Sequence, residues 1–169
     1  EGIELISISD LHASYNGKEI LKGIDIMVEK GEFLGLLGPN GSGKTTLLRC
    51  LSRNMINWNG EIEIKGKDIV TWTTKELARE MAVLHQDISP GFDYTVSEVI
   101  SMGRYPHMST MGFADIGGKK VISNAIRWTN LEGMETKRLS QLSGGERQRV
   151  FIARAFAQDF ADSPHVYIP

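Results

Sequence analysis

Gly38-Pro39-Asn40-Gly41-Ser42-Gly43-Lys44-Thr45-Thr46 is the stretch whose reading decides the fold. It fits G-x-x-x-x-G-K-[ST], a phosphate-binding loop. The chemistry of an anion cradle accounts for each residue type. Gly38, Gly41 and Gly43 allow backbone conformations closed to residues with a Cβ, so successive N–H groups can turn inward around phosphate. Lys44 is spaced to reach the β- and γ-phosphates of a nucleoside triphosphate. The Thr45 hydroxyl is spaced to complete the shell of a Mg²⁺ that keeps most of its waters. Just before the loop, the apolar run Phe33-Leu34-Gly35-Leu36-Leu37 predicts a buried strand. Just after it, Thr46-Leu47-Leu48-Arg49-Cys50-Leu51 predicts a helix whose N-terminus faces the phosphates.

Composition bounds the rest. At 169 residues and 24% charged, the chain suits one domain with a sizeable core. A net charge of −2 asks for neither a nucleic-acid nor an anionic-lipid partner. The single cysteine, Cys50, excludes an internal disulfide framework and fits a reducing cytoplasm. Its place on the apolar side of the helix after the loop predicts a packed thiol. Glu1-Gly2-Ile3-Glu4-Leu5 lacks the basic-then-apolar order of a signal peptide. No apolar run approaches the roughly 18 residues of a spanning helix, so work at a membrane would go through a partner.

Outward from the loop, the N-terminal side reads as an antiparallel β layer. Ile6-Ser7-Ile8-Ser9-Asp10 alternates, Asn16-Gly17 is a hairpin turn, and Ile24, Ile26 and Val28 share one strand face. On the C-terminal side, Asn57-Trp58-Asn59-Gly60 reads as a turn and Glu61-Ile62-Glu63-Ile64-Lys65 alternates again. Thr73 and Glu76 form a capping box before a short helix through Met81, and Ala82-Val83-Leu84-His85 is a short strand. From Asp87 to Ser140 the pattern turns mostly helical. A second capping box, Thr95 with Glu98, opens a helix ending near Tyr105-Pro106, and Ile122, Ala125, Ile126 and Thr129 recur at helical spacing. Met102, Met108, Met111 and Met134 suit either core filling or an adaptable contact face.

Leu142-Ser143-Gly144-Gly145-Glu146-Arg147-Gln148-Arg149 starts the last long helix. Ser143 is placed as its N-cap, with Glu146 as capping-box partner. A serine hydroxyl and glycine N–H groups at a helix N-terminus also make an anion site. Both uses stay open, and the chain carries two phosphate-type sites, at Gly38–Thr46 and Ser143–Gly145.

At this point the sequence resembles the ATP-binding-cassette ATPases. LSGGERQR, Leu142 to Arg149, is similar to that family's signature motif, and GPNGSGKTT to its phosphate loop. Thr95 to His107 and Leu77 to Gln86 resemble the branch serving iron–siderophore, haem and cobalamin importers. The resemblance implies an α/β fold: a RecA-like P-loop core with an N-terminal antiparallel β layer and a helical subdomain. The expected division is 1–86 for the β layer and nucleotide core, 87–140 for the helical subdomain, and 141–169 for the signature helix and the next core strand. It implies ATP and Mg²⁺ as cofactors, with Tyr15 stacked on adenine. Gln86 would touch Mg²⁺ and the attacking water. Leu142, Ser143, Gly144, Gly145, Glu146 and Gln148 would meet the γ-phosphate held by a second ATPase subunit, head to tail. It also implies a membrane permease as partner, a substrate-binding protein acting through it, no nucleic acid, and a place on the cytoplasmic face of the cell membrane. The rival readings are a soluble cassette ATPase working on ribosomes or DNA, and a non-catalytic nucleotide-binding module.

The family continues past the signature helix into a strand ending in Asp, for Mg²⁺, and Glu, the general base. His165-Val166-Tyr167-Ile168-Pro169 resembles that strand up to its acid pair, and Phe160 to Pro164 departs from the family's short turn. Asp159 and Asp162 lie before this strand and do not replace the pair. The expectation is therefore a piece of a longer ATPase that binds ATP but lacks the group that activates water. His107 reads as a contact residue, since no second metal ligand stands at helical spacing from it.

Overall fold

A computed structural model describes residues 4–84, 92–108, 115, 117–159 and 166–167. The chain divides into two compact units, Glu1–Thr73 and Thr74–Ile168.

The first unit is built on β1 (Glu4–Tyr15) and β2 (Lys18–Glu29), antiparallel neighbours. Asn16 and Gly17 join them with φ of 49° and 76°. Two successive left-handed residues match the twist of paired strands, which is why Asn-Gly closes this hairpin. After the helix α1 (Lys44–Leu51), β3 (Trp58–Ile64) pairs with the other edge of β1, and β4 (Lys67–Asp68) with β3. The sheet order is β2-β1-β3-β4. Ile6 lies opposite Val28 and Ile64, and Ile8 opposite Ile26 and Ile62. Ile6, Ile8, Leu11, Ile62 and Ile64 are all buried on this sheet, each worth roughly 1.5–3 kcal/mol of transfer free energy.

Two local expectations fail here. Asn57 to Gly60 is not a turn. Trp58 pairs with Ala13 and Asn59 with His12, so these residues begin β3. Gly60, at φ 105°, presses on the Asp10 carbonyl, where a Cβ would collide. It marks a bulge, and a bulge uses the same residue types as a turn. The second failure is Phe33–Leu37. No strand is formed there, and Phe33 and Leu37 are 96% and 97% exposed. Such a run is buried only between neighbouring strands, and among the described residues no strand pairs with it.

The second unit comprises α2 (Thr74–Glu80), β5 (Ala82–Val83), α3 (Val96–Met102), α4 (Gly118–Trp128), α5 (Gly144–Asp159) and β6 (Val166–Tyr167). Strands β5 and β6 are parallel. Val99, Ile100, Ala125, Ile126, Leu131, Val150 and Ala153 form its core where α3, α4 and α5 meet. Thr95 caps α3 with Glu98 in the reciprocal box read from the sequence. Thr129 is buried, its hydroxyl donating back to the Ala125 carbonyl at 2.8 Å. Met134 packs against the core and Met108 is exposed, while Met111 lies outside the described residues. Arg104, almost fully buried, donates to both oxygens of Asp115 at 2.6 and 3.0 Å and to the Ala157 carbonyl at 2.8 Å. It ties the C-terminal end of α3 to α5.

Candidate functional site: two helix N-termini

The phosphate loop adopts the conformation its glycines permit. Gly41 and Gly43 have φ of 82° and 98°, and Ser42 N–H donates to the Pro39 carbonyl at 3.2 Å. The loop is seated on β2. A Cβ on Gly43 would stand 2.8 Å from Leu21 Cδ2, so a side chain at this position would lift the loop from the sheet. A Cβ on Gly38 would stand 2.8 Å from Ser42 Oγ and fill the inside of the turn. Lys44 folds over the loop, donating to the Gly38 carbonyl at 2.7 Å, the Pro39 carbonyl at 2.9 Å and Ser42 Oγ at 3.3 Å. Its ammonium is thereby held over the centre of the turn.

Helix α1 begins at Lys44 on a left-handed Gly43, with no side-chain cap and no acidic residue in its first turn. Its positive end is thus open to an external anion. Thr45 is exposed and Thr46 half-buried; an exposed Thr45 hydroxyl beside the loop fits a Mg²⁺ brought in with phosphate. Asn40 is exposed at the crest of the loop. Tyr15 ends β1 beside the Asn-Gly turn and is 58% exposed, leaving its ring open to a planar partner. Cys50 is fully buried, and that burial pushes its thiol above the ordinary range, as expected for a packed cysteine.

At the second site Ser143 caps α5. Its N–H and hydroxyl both donate to Glu146 Oε2 at 2.7 Å, and its Oγ accepts from Glu146 N–H at 3.3 Å. These hydroxyl and amide bonds from Ser143 hold the Glu146 carboxyl below the usual range. Leu142 is buried and anchors the turn, while Gly144, Gly145 and Gln148 are exposed. A Cβ at Gly144 or Gly145 would meet nothing within 4 Å, and neither glycine has a positive φ. Packing among the described residues therefore does not require glycine at either position. Both positions leave open space beside the start of α5.

Gln86 lies outside the described residues, as do the side chains of Asp159 and Asp162. His107 faces the Gln158 carbonyl through Nε2 at 2.5 Å. Among the described residues no cluster of His, Cys, Asp and Glu is arranged to hold a metal. Sequence reasoning missed Asp93, which bonds Ser140 just ahead of the signature motif. No local pattern signals a contact across 47 residues.

The family described as ABC transporter matches residues 21–161 of this chain. The chain is 38% identical over 154 residues to the petrobactin import ATP-binding protein FpuC of Bacillus anthracis, covering 91% of this chain and 57% of that protein. It is 35% identical over 167 residues to the iron(3+)-hydroxamate import ATP-binding protein FhuC of Bacillus subtilis, covering 96% of this chain and 62% of that one. The chain thus spans about three fifths of these relatives' lengths. Among solved structures it is similar to cbiO1 from Clostridium perfringens, part of the ABC transporter complex cbiONQ. That likeness has a TM-score of 0.77 at 26% identity, over 94% of this chain and 63% of that chain. With its phosphate loop and its signature helix each matching the family's pattern, the chain belongs to the ABC transporter family, as an ATPase domain of the α/β nucleotide-binding fold.

Proposed function

We propose that the protein is the ATP-binding and hydrolysing subunit of an importer for a metal chelate of the iron–siderophore, haem or cobalamin class. The single observation that carries a two-site ATPase is the pair Gly144–Gly145. These are exposed glycines at the start of α5 whose small size serves no contact among the described residues. The import names printed for FpuC and FhuC support the choice of cargo class.

In this reading, Gly38 to Thr46 cradle the triphosphate on backbone N–H groups. Lys44 exchanges its carbonyl partners for the β- and γ-phosphates, and Thr45 with Gln86 would hold Mg²⁺. Mg²⁺, when bound, neutralises charge developing on the phosphates. Tyr15 stacks on the adenine. Leu142, Ser143, Gly144, Gly145, Glu146 and Gln148 of one subunit close over the γ-phosphate held by the other, so ATP joins two chains head to tail. Closure is passed to a membrane permease, which receives cargo from a substrate-binding protein, on the cytoplasmic face of the membrane. Residues 1–86, 87–140 and 141–169 are read as nucleotide core with β layer, helical subdomain, and signature helix with the next strand. Nucleotide binding is placed in residues 1–169, which span about three fifths of the lengths of FpuC and FhuC.

The test is Mg·ATP titration of the full-length protein with dimer fraction followed by light scattering. The expected result is an ATP-dependent dimer that Gly145→Ala weakens while the monomer's ATP affinity holds. A Gly145→Ala protein that dimerises like the parent would refute the role given to the signature glycines.

A further inference from the structure

The start of the signature motif is held from a distant part of the chain. Residues Phe92 to Thr95 run beside Arg138 to Ser140. Leu139 N–H donates to the Tyr94 carbonyl at 2.9 Å, and Thr95 and Arg138 form an isolated antiparallel bridge. Arg138 Nη1 donates to the Asp93 carbonyl at 2.6 Å. The Asp93 carboxylate then takes both donors of Ser140, the N–H at 3.0 Å on Oδ1 and the hydroxyl at 2.7 Å on Oδ2. Arg138 and Arg147 are the charged groups facing it. With the two Ser140 bonds as the larger cause, they hold its carboxyl below the ordinary range, so it is charged at neutral pH.

The piece so held is short. Leu139–Gln141 is a single 3-10 turn, followed by Leu142 and then Ser143. Leu139 and Leu142 are buried, whereas Ser140 and Gln141 are exposed. The buried Leu139 and Leu142, the Leu139–Tyr94 bond and the Arg138 bridge fix where the start of this turn sits, and Asp93 holds the exposed Ser140 beyond them against rotation. Rotation would swing the Ser143 hydroxyl and the Gly144–Gly145 N–H groups. A carboxylate that takes an amide and a hydroxyl from one residue opposes that rotation, because both bonds align in one orientation only. The Ser143–Glu146 box cannot do this, since it turns with the helix.

We propose that Asp93 is a positioning residue for the second anion site: its clasp on Ser140 sets the angle at which Ser143, Gly144 and Gly145 present themselves to the γ-phosphate of the facing subunit. The proposal rests on the two-site ATPase reading above.

The experiment compares parent, Asp93→Ala and Asp93→Asn in the full-length protein. Asparagine keeps an acceptor for the Ser140 N–H and offers its amide to the hydroxyl, so it is the conservative variant. Amide exchange across residues 139–145 is read without nucleotide, then ATP affinity of the monomer, then ATP-driven dimer fraction and turnover. Asp93→Ala is expected to expose the Ser140 amide to exchange and lower turnover roughly two- to thirty-fold, the range for a coupling residue. Monomer ATP affinity should stay within about twofold, since Asp93 touches no nucleotide. Asp93→Asn should restore most of both losses. Unchanged Ser140 exchange, or unchanged turnover in Asp93→Ala beside an active parent, overturns the clasp alone. A parent with neither ATP-driven dimer nor turnover overturns the ATPase reading and the proposal with it.

Discussion

Lys44→Ala probes the nucleotide site most directly, and the structure sets its size. A hydrogen bond between an ammonium and a phosphate contributes about 1.5–3 kcal/mol net. Lys44 is not idle without nucleotide, however: it donates to two carbonyls and a hydroxyl at 2.7, 2.9 and 3.3 Å. Binding ATP exchanges those bonds for phosphate, so the gain falls at the low end, near 1.5 kcal/mol, or about tenfold in Kd. The same bonds hold the loop closed in the free protein. The variant should therefore also lose about 1 kcal/mol of stability, since these are ordinary exposed bonds to neutral acceptors. The assay is calorimetric titration of parent and variant with Mg·ATP and, separately, with AMP. AMP carries no β- or γ-phosphate, so its affinity should differ by less than about twofold. Equal ATP affinity in the two proteins would refute the placement of Lys44. An equal loss for ATP and AMP would mean that the substitution had deformed the whole loop.

Three further outcomes are expected. Tyr15→Ala should weaken ATP more than Tyr15→Phe, because stacking needs the ring and not the hydroxyl. The upper range is that of base stacking, about 1–3 kcal/mol, and identical titrations would mean that the ring only packs on its hairpin. Ser143→Ala and Glu146→Ala both break the α5 cap, Ser143→Ala at about 1 kcal/mol by chemical denaturation. Only the loss of Ser143 should also cut ATP-driven dimerisation and turnover, and parallel losses would leave capping as the serine's sole role. Asp115→Asn leaves the Arg104 charge buried without its counter-ion, at a cost near 3 kcal/mol measured by urea unfolding at pH 7. Arg104 lowers the Asp115 carboxyl below its ordinary 3.8, so the pair's stabilisation is complete above that value and is lost as pH falls through the lowered one. A parent and variant that differ equally at pH 7 and pH 2 would contradict this.

The sequence by itself determined several features governed by residues within a few positions of one another. The phosphate loop is such a feature, because Gly41, Gly43 and Lys44 act on the backbone they belong to. So is the Asn16-Gly17 hairpin, and so are the capping boxes of Thr95 with Glu98 and Ser143 with Glu146, each a bond between residues three apart. Composition near Gly60 was ambiguous for a physical reason: turns and bulges need the same left-handed residue, and only the Asp10 carbonyl across the sheet distinguishes them. Phe33–Leu37 reads as a strand in any apolar pattern, yet burial belongs to neighbours and not to the run. What only the tertiary structure decided are the contacts between residues far apart in sequence. Asp93 reaches Ser140 across 47 residues and Arg104 reaches Ala157 across 53, and each depends on where α3 and α5 pack. A side chain's reach is a few ångströms, so no spacing rule can pair such residues before the core that brings them together has formed.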